Sequence, residues 1–232
     1  NISRSAEVPT FDVNTFAAPA SSNVDAQTAT TYEIGTRGRR PDLTWDVSLY
    51  RANIRNELQC LTVVVNPFFT NPCVQTNAGR TIHQGIEAGF GVAFLKSVAQ
   101  QDDRVWFNVA YTYSDFRFDH DTIWGNNRPA SLRAEVLYKN PNGFYVGPNV
   151  EWVPQSYFAD NANTLTVDPY ALLNFKIGYD KGSGWSGYVE GRNLLDTRYI
   201  SSTVTVGTAT PTMQLFNPGT GRSVYGGIRY RM

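Results

Sequence analysis

The chain has 232 residues, with 20 basic and 20 acidic side chains and a formal net charge of +0. That balance excludes the basic footprint of a nucleic-acid binder, and no run of about 18 apolar residues is present to make a transmembrane helix. The mean hydropathy of -0.33 leaves a membrane β-barrel open, because barrel strands alternate and average to modest values.

Taken in order, the chain reads as strands. The opening Asn1-Ile2-Ser3-Arg4-Ser5 lacks an initiator methionine and the basic start and apolar core of a signal peptide. It reads as a strand in the middle of a longer chain. Tyr32, Ile34 and Thr36 then alternate with Glu33, Gly35 and Arg37. Trp45, Val47 and Leu49 share a face on which Arg51 is out of place. Ile86, Ala88, Phe90, Val92 and Phe94 oppose Glu87, Gly89, Gly91 and Ala93, with His83 on the polar face. The clearest alternation runs from Val105 to Ser114. Leu132 to Tyr138 and Leu173 to Tyr179 follow, then a strand in which Asn193 interrupts Val189, Gly191 and Leu195. In the closing stretch Val224, Ile228 and Tyr230 point one way, and Arg229 and Arg231 the other. Period-two patterns of this kind argue β-strands.

Short connections rich in turn residues (38–42, 96–104, 139–143, 180–184) alternate with long polar ones (9–25, 58–80, 118–128, 155–168, 201–221). The pattern predicts an all-β, antiparallel up-and-down meander of about ten strands, most of them about 12 to 16 residues. Turns would lie at one rim and loops at the other, as in outer-membrane barrels. About 9 to 11 tilted residues cross a bilayer, so the excess would stand above it. Trp45, Trp106, Tyr138, Phe144, Trp152, Tyr170 and Trp185 fall near strand ends, where interfacial girdles form. The polar face mixes both signs: Glu33, Arg37, Asp46, Glu87, Arg133, Glu135, Glu151, Lys176, Glu190, Arg192, Arg229 and Arg231. Mixed charges pack badly in a small closed barrel and suit a wide lumen.

Cys60 and Cys73 flank a loop holding two Asn-Pro pairs. They are either two thiols or a disulfide, and the turn-rich loop of an exported chain favours the bridge. A bridge over so short a loop contributes roughly 3 kcal/mol in the chain-entropy model. No further Cys or nearby His completes a zinc set. Asp119-His120-Asp121 has ligand and catalytic residue types, but neighbours in a loop splay apart, so a solvated loop is the better reading. Asp196 and Arg198 are expected to pair at the rim.

Five stretches resemble one family in its own order. Ser3-Arg-Ser-Ala-Glu-Val-Pro9 is similar to an early strand of the TonB-dependent outer-membrane receptors. Gln27-Thr-Ala-Thr-Thr-Tyr-Glu-Ile-Gly-Thr-Arg37 and Asp46-Val-Ser-Leu-Tyr50 resemble the strand pair after it. Gly191-Arg-Asn-Leu-Leu-Asp-Thr-Arg-Tyr199 resembles the penultimate strand, and Gly221 to Met232 the closing strand. That strand usually ends in an aromatic residue, where this chain has Met232.

The resemblance, to the siderophore-receptor branch, implies a 22-stranded transmembrane barrel around a plug. Residues 1–232 would form its C-terminal segment, with plug and first strands absent. It implies a receptor and transporter for a ferric siderophore in the outer membrane of a Gram-negative bacterium, energised by the TonB complex. Partners would be the siderophore, its own plug, the TonB complex, outer-membrane lipid and the barrel-assembly machinery, with no nucleic acid. No cofactor is expected, because iron enters only within the transported chelate, and no catalysis.

Anionic chelates favour arginine and aromatic groups. The loop candidates are Phe68, Phe69, Arg80, Arg117, His120, Trp124, Arg128, Tyr157 and Phe158. Each could equally serve only to pack a loop, and no family motif assigns them. The rival readings are a self-contained ten-stranded barrel enzyme of protease type and a secreted β-sandwich binding module.

Overall fold

The computed structural model describes residues 1–9, 24–63, 73–120, 127–211 and 213–232, with side chains 60–63 and 73–75 left aside. Ten strands form one antiparallel sheet: β1 (Ile2–Glu7), β2 (Gln27–Arg40), β3 (Leu43–Arg55), β6 (Arg80–Lys96), β7 (Arg104–Phe118), β8 (Ala130–Lys139), β9 (Phe144–Val153), β12 (Tyr170–Tyr179), β13 (Gly184–Arg192) and β16 (Ser223–Arg231). They lie side by side in that order. The other strands are three hairpins within the long connections: β4 (Leu58–Val63) with β5 (Cys73–Asn77), β10 (Tyr157–Phe158) with β11 (Thr166–Val167), and β14 (Ile200–Thr203) with β15 (Phe216–Pro218). The strict alternation of short and long connections places every turn at one rim and every loop at the other. Among the described residues, β1 and β16 are open edges of the sheet.

The ladders fix which side chains share a face. Ile34, Leu49, Ile86, Tyr113 and Ala130 form one continuous row across five strands. That face stays exposed, with Ile34, Phe90, Trp152, Phe175, Val189 and Ile228 among its large uncovered side chains. The opposite face carries the mixed charges in pairs: Arg133 with Glu151 at 3.0 Å, Lys176 with Glu135 at 2.6 Å and Arg192 with Glu190 at 2.8 Å. Asn108 donates to Glu135, and Asn174 donates to Asn149 at 2.8 Å, so the polar face is cross-braced from β7 to β13.

Strand length departs from the expectation in one half of the sheet. β2, β3, β6 and β7 run 14, 13, 17 and 15 residues, but β8, β9 and β12 run 10, and β13 and β16 run 9. The short strands need no more than a tilted bilayer crossing. The long ones continue beyond the apolar band, which explains Arg51: it pairs with Gln84, one row past Leu49 and Ile86. The girdle also differs. Trp106 pairs with Ala93 and Leu137, and Tyr170 with Val153, so both point to the polar face. Trp45, Tyr138, Phe144, Trp152 and Trp185 keep to the apolar face by register.

The turns are built locally. Asn140 and Asn142 accept N–H bonds from the residues two further on, at 3.0 and 2.9 Å, and Gly143 takes a φ of 105° that a side chain would resist. In the turn before β7, Asp103 is fully buried and accepts from the N–H groups of Val98, Ala99 and Gln100 and from the Tyr138 hydroxyl. Burial alone would raise its pKa, but these donors hold it below the ordinary value.

Candidate functional site

The loops fold over the rim as one packed body. Ala159, Val167, Val206 and Leu215 are buried and form a small apolar core between the connection after β9 and the one after β13. Asp160 joins the two: it accepts from the Thr164 and Leu165 N–H groups at 2.8 and 3.1 Å, from the Thr164 hydroxyl, and from the Ala209 N–H at 3.0 Å. Burial pushes its pKa up, but the Thr164 hydroxyl and these amides outweigh that and hold it low. Asn161 donates to Gln59 at 2.8 Å, reaching β4, and Asn127 donates to the Phe158 carbonyl at 3.0 Å. Four separate loops thereby touch one another.

Beneath them lies a pocket of about 410 Å³, lined by Glu57, Gln59, Thr81, His83, Phe116 and Asn127 among others. His83 stands on the polar face, with its ring stacked at 4.5 Å on Phe116 and its Nε2 at 3.3 Å from Glu57. Glu57 is driven up by burial, yet His83 and Thr81 beside it leave its pKa lowered. Asn127 Oδ1 is buried with no hydrogen-bond partner among the described residues. The pocket therefore offers a carboxylate, an imidazole and amide groups to a polar ligand.

The candidates read from the sequence are placed unevenly. Tyr157 and Phe158 form β10, half-buried in the loop body, and burial raises the Tyr157 pKa. Arg117 and Arg128 converge on Asp115, at 3.4 and 3.2 Å. Arg80 pairs with Arg55 on the outward face, and Arg117 pairs with Ile82 on that same face. His120 is well exposed, 3.7 Å from Asp119. Phe68, Phe69, Trp124 and the third member of the Asp-His-Asp triplet, Asp121, lie outside the described residues, as do the side chains of Cys60 and Cys73. Their backbones stand on paired strands, Cys60 opposite Gln75 and Cys73 opposite Val63. Asp196 accepts from the Arg222 N–H at 3.0 Å, and no Asp196–Arg198 pair forms among the described residues.

Sequence reading missed Glu57, Gln59, Asp160 and Asn161. Their partners lie in other loops, up to 102 residues away for Asn161, and no local spacing signals such contacts. The one available signal was His83, a lone imidazole on a polar strand face.

An open meander with one greasy face, one charged face and loops gathered at one rim has the layout of the wall of a wide membrane barrel. The family model described as TonB dependent receptor-like, beta-barrel, matches residues 1–194. The chain belongs to that family. The Ferrioxamine receptor of Yersinia enterocolitica is 30% identical over 141 residues, covering 54% of this chain and 18% of that protein. The Ferrioxamine B receptor of Salmonella typhimurium is 27% identical over 122 residues, covering 47% of this chain and 17% of that protein. Among solved structures, the copper transporter OprC superposes with a TM-score of 0.71 at 12% identity, over 98% of this chain and 36% of its own. The ferric yersiniabactin uptake receptor FyuA of Yersinia pestis gives 0.60 at 18% identity, over 98% and 33%. The chain thus spans under a fifth of these curated relatives and about a third of these solved chains.

Proposed function

We propose that residues 1–232 are the C-terminal segment of an outer-membrane receptor that imports a ferric siderophore, energised by the TonB complex. The loops face the outside and the turns the periplasm. The observation that carries the reading is the polar pocket under interlocked loops at one rim of a family barrel wall. The names of the two ferrioxamine relatives support a siderophore as cargo. Iron enters as part of the cargo, no resident cofactor is assigned, and the protein is read as no enzyme. A plug packed against the charged inner face and lipid against the greasy one complete the set of partners.

Tyr157 and Phe158 stay as the ligand-facing residues of this reading, with His83 and Glu57 added from the pocket. A bridge between Cys60 and Cys73 would brace the hairpin above it. Neither rival gains support. The ten strands make one sheet rather than the two packed sheets of a sandwich, and among the described residues His120 pairs with its neighbour Asp119 alone.

The test uses the full-length protein in an iron-limited strain lacking other receptors. Growth on ferrioxamine, lost on deletion of the TonB complex, is the expected result. Purified full-length receptor that binds no ferric chelate in a tryptophan-quenching titration would overturn the proposal.

A further inference from the structure

The outward face changes character across one row. At Ile34, Leu49, Ile86 and Tyr113 it is apolar or aromatic. In the next rows toward the loops stand Arg51 opposite Gln84, then Arg4 opposite Thr30 and Arg117 opposite Ile82, then Arg55 opposite Arg80. With strands about 4.8 Å apart and same-face residues about 6.8 Å apart, these arginines cover a patch roughly 20 Å wide and 14 Å tall. On the later strands the outward positions nearest the loops are Ala130, Trp152, Ala171, Gly191 and Val224, without a charge among them. These arginines stand in one sector, on the long strands β3, β6 and β7 and on the short β1 that flanks β2.

Two features separate this patch from an ordinary solvated surface. Its nearest carboxylate is already committed: Asp115 is nearly buried and takes Arg117, Arg128 and Gln84. Asp119, beside Arg80, forms no ion pair with an arginine among the described residues. Arg4, Arg55 and Arg80 have no hydrogen bond or ion pair to their side chains among the described residues. Moreover, Arg55 and Arg80 are direct cross-strand partners. Like charges directly opposite destabilise a sheet, so this pairing calls for an anion between them.

We infer that this sector binds the phosphate-bearing headgroups of outer-leaflet lipid, resting on the reading above that the chain stands in the outer membrane with its loops outside. The geometry suits that partner. The greasy band takes the acyl chains, and the arginines begin one row higher, at headgroup level. Guanidinium groups grip phosphate through paired hydrogen bonds, and basic side chains beside a bilayer attract anionic headgroups.

The experiment uses full-length receptor, delipidated in detergent and titrated with lipid A, with its dephosphorylated form, and with inorganic phosphate. Lipid A is expected to bind at least about 10-fold tighter than the dephosphorylated lipid. Each arginine removed should weaken it on the order of 5-fold, so the double variant R51Q/R55Q should lose about 25-fold. R133Q, on the inner face, should bind as wild type. Chelate binding by R51Q/R55Q is the check that the barrel is intact. An intact double variant that holds lipid A as tightly as wild type would sink the inference. So would equal binding of the two lipids, or competition by inorganic phosphate at lipid concentrations. If full-length receptor binds lipid A as expected but no ferric chelate, the functional reading falls and this one stands.

Discussion

The two rims of the sheet are held by different kinds of bond. At the turn rim each turn is closed by bonds short in sequence, Asn140 to Asn142, Asp180 to Gly182, and Asp103 to the three amides just before it, and neighbouring turns are then joined by Lys96 to Asp42 and Asn140 to Gln100. At the loop rim the contacts are long: Asp160 to Ala209, Asn161 to Gln59, Asn77 to Asp25. Each turn can close as its own hairpin forms. The loop rim can form only after the sheet has brought distant loops together, because ordering a long loop must be offset by contacts it makes elsewhere.

The sharpest way to break the contrast is Asn193. It sits just past β13 with a positive φ of 49°, buried, accepting from the Thr197 N–H at 2.8 Å and donating to the Thr197 and Thr220 carbonyls. Its own N–H donates to Asn174 Oδ1 at 2.8 Å. Asn193→Ala should lose about 3 to 4 kcal/mol, from unpaired buried groups and a strained backbone. The loss should appear as a lowered denaturation midpoint of the full-length receptor. Asp160→Ala comes next, at about 3 kcal/mol, but confined to the loops. Hydrogen exchange should speed up at residues 159–165 and 204–209 together, with strands β6 to β8 unchanged.

Asp103→Asn should act at the turn rim alone, lowering the melting temperature by less than Asn193→Ala. Because the Asp103 pKa is lowered in the fold, its contribution is present above the ordinary carboxylate value and fades as pH falls through the lower folded value. Wild type should therefore lose melting temperature in that acidic window and the variant should lose less. The smallest effect should come from Arg133→Gln. Its side chain is 72% exposed beside Glu151, so the expected change is under about 1 kcal/mol and shrinks in salt.

The sheet was legible because alternation is a local signal. Leu132, Ala134, Val136 and Tyr138 announce their face without help from any other strand. Arg51 and Asn193 read as flaws in the pattern, yet each marks a place where the environment changes. Arg51 lies past the apolar band, and Asn193 lies past the end of β13. Strand length was less legible, since the sequence carries no mark of where a ladder stops pairing. The pocket was least legible: Glu57 and His83 meet because β3 and β6 are neighbours, a fact of topology. Trp106 and Tyr170 misled for the related reason that nearness to a strand end does not say which face a side chain takes.

The Asp160 knot sets how the loops respond to salt. Among the described residues no cation pairs with this carboxylate; its charge rests on amide and hydroxyl dipoles in a buried position. Mobile ions screen exposed charge pairs within about 10 Å at 0.1 M but reach a buried dipole cluster far less. The junction of the two loops should thus hold equally well in fresh and in saline surroundings, while the charged braces of the inner face loosen as ionic strength rises.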